Sequence, residues 1–498
     1  MTTERSQPGE PLSRAEIRHL DRKLVSGFAW TAGAKWSLQL ASWASTLILA
    51  RLLNPADFGI VSMGALLFGF VSMASQFGLD GAVIVSKEMT EEQMRQLNTL
   101  AVLLGCAGFL VCWMAAGPVS AFFRTPALMQ VIPVMALGFP VSGFRVVPQA
   151  RLEREMRFRA TSVIEVLQSV AQAATAITCA LFGLRYWSIV FGNLAGTVIA
   201  TALPLVLRAT GYSRPRSVSV GVALSFSWKL LVSRLCWYVY TDADFLIVGR
   251  VLGQTALGFY SLAWNLANMP IEKIVALLTR VTPAVLAKAQ SDLAAMRRYY
   301  RTITEMLALA TAPLALGMAL VAPDAVPLFL GQKWTASVLP LQLLCCSVVI
   351  RSLSTLPAQF VQVLNDMVFG TVYSVAMLVL LPPGFYFSSR WGIAGVAGVW
   401  LVLGPLAGMV MIRRAMWLLA MPVRELFGAL RTPAIASLLM VIATAIARAC
   451  CHNLSIPVRL AIAVSAGAAT YSVMVWPSFK SRAALFAKTF RSEPRAEN

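Results

Sequence analysis

An all-helical protein that crosses a membrane many times is predicted by three observations. The composition is more apolar than water tolerates, the apolar residues come in runs of span length, and the basic residues sit in alternate gaps between those runs. Of the 498 residues 58% are hydrophobic and only 13% charged, with a mean hydropathy of +0.70, whereas in soluble domains about a quarter of the residues are charged. A membrane helix needs about 20 predominantly apolar residues, and inside lipid only helices or closed barrels satisfy the backbone. The runs here are too long and too continuous for barrel strands.

In chain order, residues 1–23 are polar, carry acids among their basic residues and lack a small-residue cleavage pattern, so no cleaved signal peptide is expected. Ser13 and Glu16 have capping-box spacing and would open a short amphipathic helix on the inner surface. Spans are predicted over 27–50, 58–79, 98–117, 128–148, 161–182, 187–207, 224–249, 256–281, 302–322, 336–363, 368–388, 392–412, 432–450 and 457–476, about fourteen in all. With the N-terminus inside, the inner gaps hold about 29 Lys and Arg against about six outside (Arg51, Arg124, Arg185, Arg250, Lys333, Arg390). That bias sets an N-in/C-in orientation and explains the net charge of +20 without nucleic acid as a partner. The outer loops are short and leave no room for an external catalytic domain.

One internal repeat is present. Leu47-Ile-Leu-Ala-Arg-Leu-Leu53 aligns with Leu246-Ile-Val-Gly-Arg-Val-Leu252, and the same offset pairs Gly59 with Gly258 and Ser62 with Ser261. Both copies run in the same direction, so the halves are parallel repeats, a common transporter plan. The expected organisation is a cytoplasmic segment (1–23), an N-lobe of six spans (24–208), a basic linker (209–222), a C-lobe of six spans (223–414), a loop (415–431), two added spans (432–477) and a tail (478–498).

Charges at membrane depth are costly and turn toward a bundle interior or a wet cavity. In the first span Lys35, Gln39, Ser42 and Thr46 lie on one helical face, a polar stripe topped by an ammonium. At the repeat offset Lys35 coincides with Arg234 and Arg51 with Arg250, so each half supplies one cation at depth and one near the outer end. For Arg51 and Arg250, snorkelling to the outer headgroups competes with cavity lining. In the seventh span Arg234, Tyr238, Thr241 and Phe245 share a face. Asp242, Asp244 and, further on, Glu272 are read either as structural ion pairs or as sites for a coupling proton or sodium ion. Lys229, Arg351 and Lys273, which would pair locally with Glu272, complete the charges to inspect.

Other chemistry is poorly represented. The eight cysteines form no CxxC pair and read as small core residues. His19 and His452 lie near span ends, so no histidine relay or zinc site is expected in the core, and no metal or organic cofactor is expected. No GxxxxGK[ST] segment is present. Gly192 with Gly196 and Gly404 with Gly408 are read as close helix contacts.

Leu49-Ala-Arg-Leu-Leu-Asn-Pro-Ala-Asp-Phe-Gly59 and Asp244-Phe-Leu-Ile-Val-Gly-Arg-Val-Leu-Gly-Gln-Thr-Ala-Leu-Gly-Phe-Tyr260, with the basic loop at 151–159 and Ala263-Trp-Asn-Leu-Ala-Asn-Met-Pro270, resemble the polysaccharide-export flippases of the multidrug/oligosaccharidyl-lipid/polysaccharide exporter superfamily. The resemblance covers most of the chain. It implies two six-helix lobes around a central cavity and alternating access in a bacterial inner membrane. It also implies a polyprenyl-pyrophosphate-linked oligosaccharide as substrate, membrane lipids around it, and a polysaccharide polymerase and export machinery as further partners. Lys35 and Arg234 match positions where such flippases place cavity cations, which suit pyrophosphate oxygens. Three readings compete: a multidrug antiporter of the same superfamily, which would favour an acidic aromatic cavity; a membrane enzyme of polysaccharide assembly, which would need a large outer loop; and an assembly scaffold, for which buried matched cations serve no purpose.

Overall fold

The computed structural model describes residues 42–75, 90–155, 157–208, 211–214, 236–289, 292–364 and 366–491. Among them the ordered elements are helices, and no strand occurs. We number them α1 (42–52), α2 (Pro55–Ser75), α3 (Glu91–Phe123), α4 (Leu128–Ala136), α5 (Gly138–Gly143), α6 (Val146–Arg154), α7 (Phe158–Leu181), α8 (Trp187–Leu207), α9 (236–241), α10 (Ala243–Ile247), α11 (Gln254–Ala289), α12 (Leu293–Ala325), α13 (Val338–Val363), α14 (Met367–Ser388), α15 (Gly392–Leu418), α16 (Val423–Cys450) and α17 (Ile456–Arg491).

Among the described residues nine helical stretches are long and apolar enough to cross a membrane, or ten if the bent pair Leu128–Gly143 and Val146–Arg154 counts as one span. One of these stretches, Val368–Leu418, holds 51 residues, about 76 Å if straight, more than twice a hydrocarbon core. It is two helices, α14 and α15, which reverse at the 3₁₀ turn Ser389–Trp391 and at Gly392 (φ 70°) and pack on each other. The predicted capping box at Ser13 and Glu16 lies outside the described residues.

Local chemistry starts and stops the helices. Pro55 opens α2 where its missing N–H costs nothing, and the Asp57 carboxylate accepts from Asn54 N at 3.0 Å. Thr90 and Gln93 form a reciprocal capping box at the start of α3, at 2.9 and 3.2 Å. Asp292 caps α12 by accepting from Ala294 N and Ala295 N. Two helices end alike, in π turns at Val248–Leu252 and Val326–Leu330, each closed by a glycine with positive φ, Gly253 (87°) and Gly331 (100°).

The chain divides into two compact units. The first comprises Met1–Leu52, Leu67–Val119 and Ala127–Leu231; the second comprises Leu53–Leu66, Ser120–Pro126 and Val232–Asn498. In the first unit α7 packs along α8, and Gly192 is the reason they approach: a Cβ there would stand 2.7 Å from Ala176 Cβ and 2.9 Å from Gln172 O. The basic loop is tied down by Arg151 to Glu91 (2.9 Å) and Arg208 to Glu155 (2.8 Å). The hydrogen bonds from Arg208 hold the Glu155 carboxyl below the usual carboxylate range.

In the second unit the internal repeat meets itself. A Cβ on Gly59 would overlap the backbone oxygen of Gln254, and one on Gly258 would overlap that of Pro55. Because 59 and 258, like 55 and 254, are related by the repeat offset, the crossing of α2 and α11 is reciprocal, as a pseudo-two-fold axis requires. Beside it Lys333 Nζ donates to Leu53 O at 2.6 Å, and Arg250 donates to Phe122 O. These contacts gather residues 53, 122, 250 and 333 at one end of the unit, the end that the basic-residue pattern places outside. At the opposite end Arg414 pairs with Asp366 (2.6 Å) and stacks on Phe369 and Trp417, and Arg297 donates to Leu419 O. The Arg414 hydrogen bond keeps the Asp366 carboxyl below its ordinary range.

Candidate functional site

The centre of the second unit is a charged, aromatic knot. Asp244, in the first turn of α10, has no exposed surface. Its carboxylate accepts from Tyr260 OH (2.6 Å), Trp400 Nε1 (2.7 Å) and its neighbour's backbone, Phe245 N (2.9 Å). The guanidinium of Arg351 lies over the Trp264 ring at 4.4 Å and the Trp400 ring at 4.7 Å, stabilised by their π faces, and acts on Asp244 through its field. Phe245 packs edge-on against Tyr260 and Trp264, and Phe385 packs at a tilt against Trp400. Four helices, α10, α11, α13 and α15, are therefore pinned by one carboxylate and one guanidinium. Among the described residues the buried Nη1 of Arg351 has no hydrogen-bond partner, so part of the cost of burying it is met by charge and rings.

Beside the knot the polar residues of α9 grade toward exposure. Tyr238 OH donates to Leu66 O at 2.9 Å. Thr241 Oγ1 donates to the carbonyl of Trp237 (2.7 Å), so this hydroxyl is satisfied by its own helix. Asp242, at the break between α9 and α10, is half-buried, and its carboxylate meets Thr241 Oγ1 at 3.4 Å. Glu272 is exposed and contributes to the field at Arg351. In α1 the Thr46 hydroxyl donates to Ser42 O at 3.0 Å, and Arg51 is exposed at the helix end. Arg250 is half-buried, bonded to Phe122 O, and lies 5.2 Å from the Phe122 ring centroid. Lys35, Gln39, Lys229 and Arg234 lie outside the described residues.

The Asp244 network brings together two charges that sequence reading singled out separately, Asp244 and Arg351. Sequence reading did not single out their mediators: Tyr260 and Trp264 entered only as members of the motif segments, and Trp400 not at all. It also missed a second cluster, in which Asp324 on α12 pairs with Arg448 of α16 (2.8 Å) and with Arg459 of α17. Tyr471 OH donating to Leu309 O (2.6 Å) ties α17 to the same helix. An acidic residue at a span end with two later arginines near the same depth was the available signal. Among the described residues no group of three His, Cys, Asp or Glu side chains is placed to hold a metal.

Comparison with known proteins fits this architecture. The sequence model of a family described as "Polysaccharide biosynthesis protein" matches residues 48–339. The lipopolysaccharide biosynthesis protein WzxC of Escherichia coli K12 is 26% identical over 342 residues, 67% of this chain and 68% of that one. A probable low-salt glycan biosynthesis flippase, Agl15 of Haloferax volcanii, is 20% identical over 70% of this chain and 74% of its own. Among solved structures, the lipid II flippase MurJ in an inward closed conformation superposes with a TM-score of 0.72 at 10% identity, over 91% of this chain and all of that one, so the two share a fold.

Proposed function

Because this chain belongs to the polysaccharide biosynthesis protein family, we propose that it is a flippase moving a polyprenyl-pyrophosphate-linked oligosaccharide across a bacterial inner membrane for assembly of a surface or extracellular polysaccharide. The observation that carries the reading is the family match across the repeat-bearing half of the chain, joined by relatives whose names give lipopolysaccharide synthesis and glycan flipping. The fold shared with MurJ and the reciprocal crossing of the two repeats support transport by alternating halves. The full complement in this reading is fourteen crossings with both ends in the cytoplasm. The substrate stays in the membrane by its tail while the headgroup crosses, so the protein needs a wet, cationic path rather than bond-making chemistry.

In this reading Lys35 and Arg234 hold the pyrophosphate, with Gln39, Ser42, Thr46, Tyr238 and Thr241 lining the path beside them. Arg51 and Arg250 act nearer the exit. Coupling to a proton or sodium gradient falls to Asp242, the half-buried carboxylate next to the satisfied Asp244. The test is a variant series in cells that make the polymer. Lys35→Ala with Arg234→Ala should abolish export at unchanged protein level and membrane insertion, and alanine at Arg51 or Arg250 should reduce it less. Wild-type export from the double variant would remove the cavity-cation assignment.

A further inference from the structure

The first unit carries a polar strip at membrane depth, and its helices are exposed on two opposed sides. In α7, Val163, Leu167, Val170 and Ala174 are exposed along one face, while Glu165 and Gln172 are exposed on the other with Gln168 half-buried beside them. At about 100° per residue the two sets point roughly opposite ways. In α8 the same division recurs: Val198, Ala202 and Val206 on one side, Asn193 and Thr197 on the other. An apolar exposed face suits lipid. A carboxylate and amides exposed at the same depth on the reverse face are costly against lipid and suit water.

The strip is built rather than scattered. Gly192 and Gly196 let α7 and α8 approach, a Cβ at Gly196 standing 3.1 Å from Gln172 Cβ. The Gln172 amide then donates to Asn193 Oδ1 at 2.8 Å. This bond aligns two amides and, among the described residues, leaves the second Gln172 N–H, its carbonyl and both Asn193 N–H groups without a further hydrogen bond. Thr197 spends its hydroxyl on Asn193 O. Glu165 and Gln172 are about 10 Å apart along the helix, longer than one sugar ring. Among the described residues the strip has donors and acceptors and one negative charge but no cation, which disfavours a phosphate and suits the hydroxyls of an uncharged saccharide.

We propose that Glu165, Gln172 and Asn193 form the sugar-contacting strip of the translocation path, separate from the residues that hold the pyrophosphate. The assignment rests on the flippase reading, and two measurements on the full-length protein in liposomes separate their fates. In the first, a membrane-impermeant thiol reagent is applied to Gln172→Cys, Asn193→Cys, Leu167→Cys and Val170→Cys, with the labelling of the unsubstituted protein subtracted. The positions 172 and 193 should react at least tenfold faster than 167 and 170; equal rates mean the amides serve only to join the helices, and the proposal fails. In the second, flipping of the lipid-linked repeat unit extracted from polymer-making cells is compared with that of sugar-free polyprenyl pyrophosphate. Gln172→Leu with Asn193→Leu should slow the glycosylated lipid about tenfold and the sugar-free lipid less than twofold, and Asn193→Gln alone, which keeps the amide, should retain much of the wild-type rate. Equal losses on both lipids, or no loss on either, overturn the strip. If the wild type moves neither lipid, the flippase reading falls and the sugar assignment with it, while the labelling still reports whether the strip is wet.

Discussion

Asp244 shows how one side chain can organise a membrane domain. Its three donors are each shorter than 3 Å, and hydrogen bonds to a charged group contribute about 1.5–3 kcal/mol apiece. Trp400→Phe removes one donor and leaves a smaller ring with a weaker π face beside Arg351. It should lower stability by about 1–3 kcal/mol, read as a fall in thermal midpoint in detergent. Asp244→Asn leaves the Arg351 guanidinium buried with less compensation and should cost more, about 3–5 kcal/mol. Asp244→Asn with Arg351→Met should recover much of that loss, and a double-mutant cycle with additive losses would show the two charges to be uncoupled. At the expected inner surface, Glu155 and Asp366 are held more acidic than in the unfolded chain. Their stabilising effect is therefore complete above the ordinary carboxylate pKa of about 4 and lost as pH falls through the depressed values. Trp417, stacked on the Arg414 that Asp366 holds, reports this: its emission should change only below about pH 4, and Asp366→Asn should show the changed emission already at pH 7.

At the scale of elements, the two repeat copies act on one another through glycines. Gly258→Ala puts a methyl group into the Pro55 backbone oxygen, and Gly59→Ala puts one into that of Gln254; backbone on both sides cannot move aside as a side-chain tip does. Each should cut the yield of folded protein several-fold, and Gly317→Ala on α12, where a Cβ meets nothing, should be neutral in the same expression assay. The helices themselves were legible: apolar runs of span length place α2, α3, α7, α8 and α11 to α17 close to where they lie, because inside lipid a long apolar run has little choice but helix. The repeat was legible too, as a fixed 199-residue offset, but hydropathy carries no record that its glycines touch. Nor did it record the π turns at Val248–Leu252 and Val326–Leu330, or the break at Asp242 that aims Asp244 inward. These depend on which tertiary partner satisfies each group.

For the whole molecule, charge and periodicity carried the site only part of the way. Asp244 and Arg351 stood out because a charge in an apolar run is conspicuous, whereas Tyr260, Trp264 and Trp400, which hold them, look like core. The Gln172 and Asn193 strip escaped notice because uncharged amides barely disturb hydropathy; only the exposure of α7 on two opposite sides singles it out. The same amphipathic logic joins the parts of the proposed path, with cations for the pyrophosphate, amides for the sugars and lipid for the tail. The most direct test is a leaflet assay, in which purified protein is placed in liposomes carrying a fluorescent polyprenyl-pyrophosphate oligosaccharide and the sugar accessible to an external glycosidase is followed in time. Protein-dependent exposure of the inner-leaflet sugar, lost in Lys35→Ala with Arg234→Ala, is the result expected of a flippase. An accessible fraction that stays at the protein-free level, with the native repeat unit and under imposed proton and sodium gradients, would contradict it.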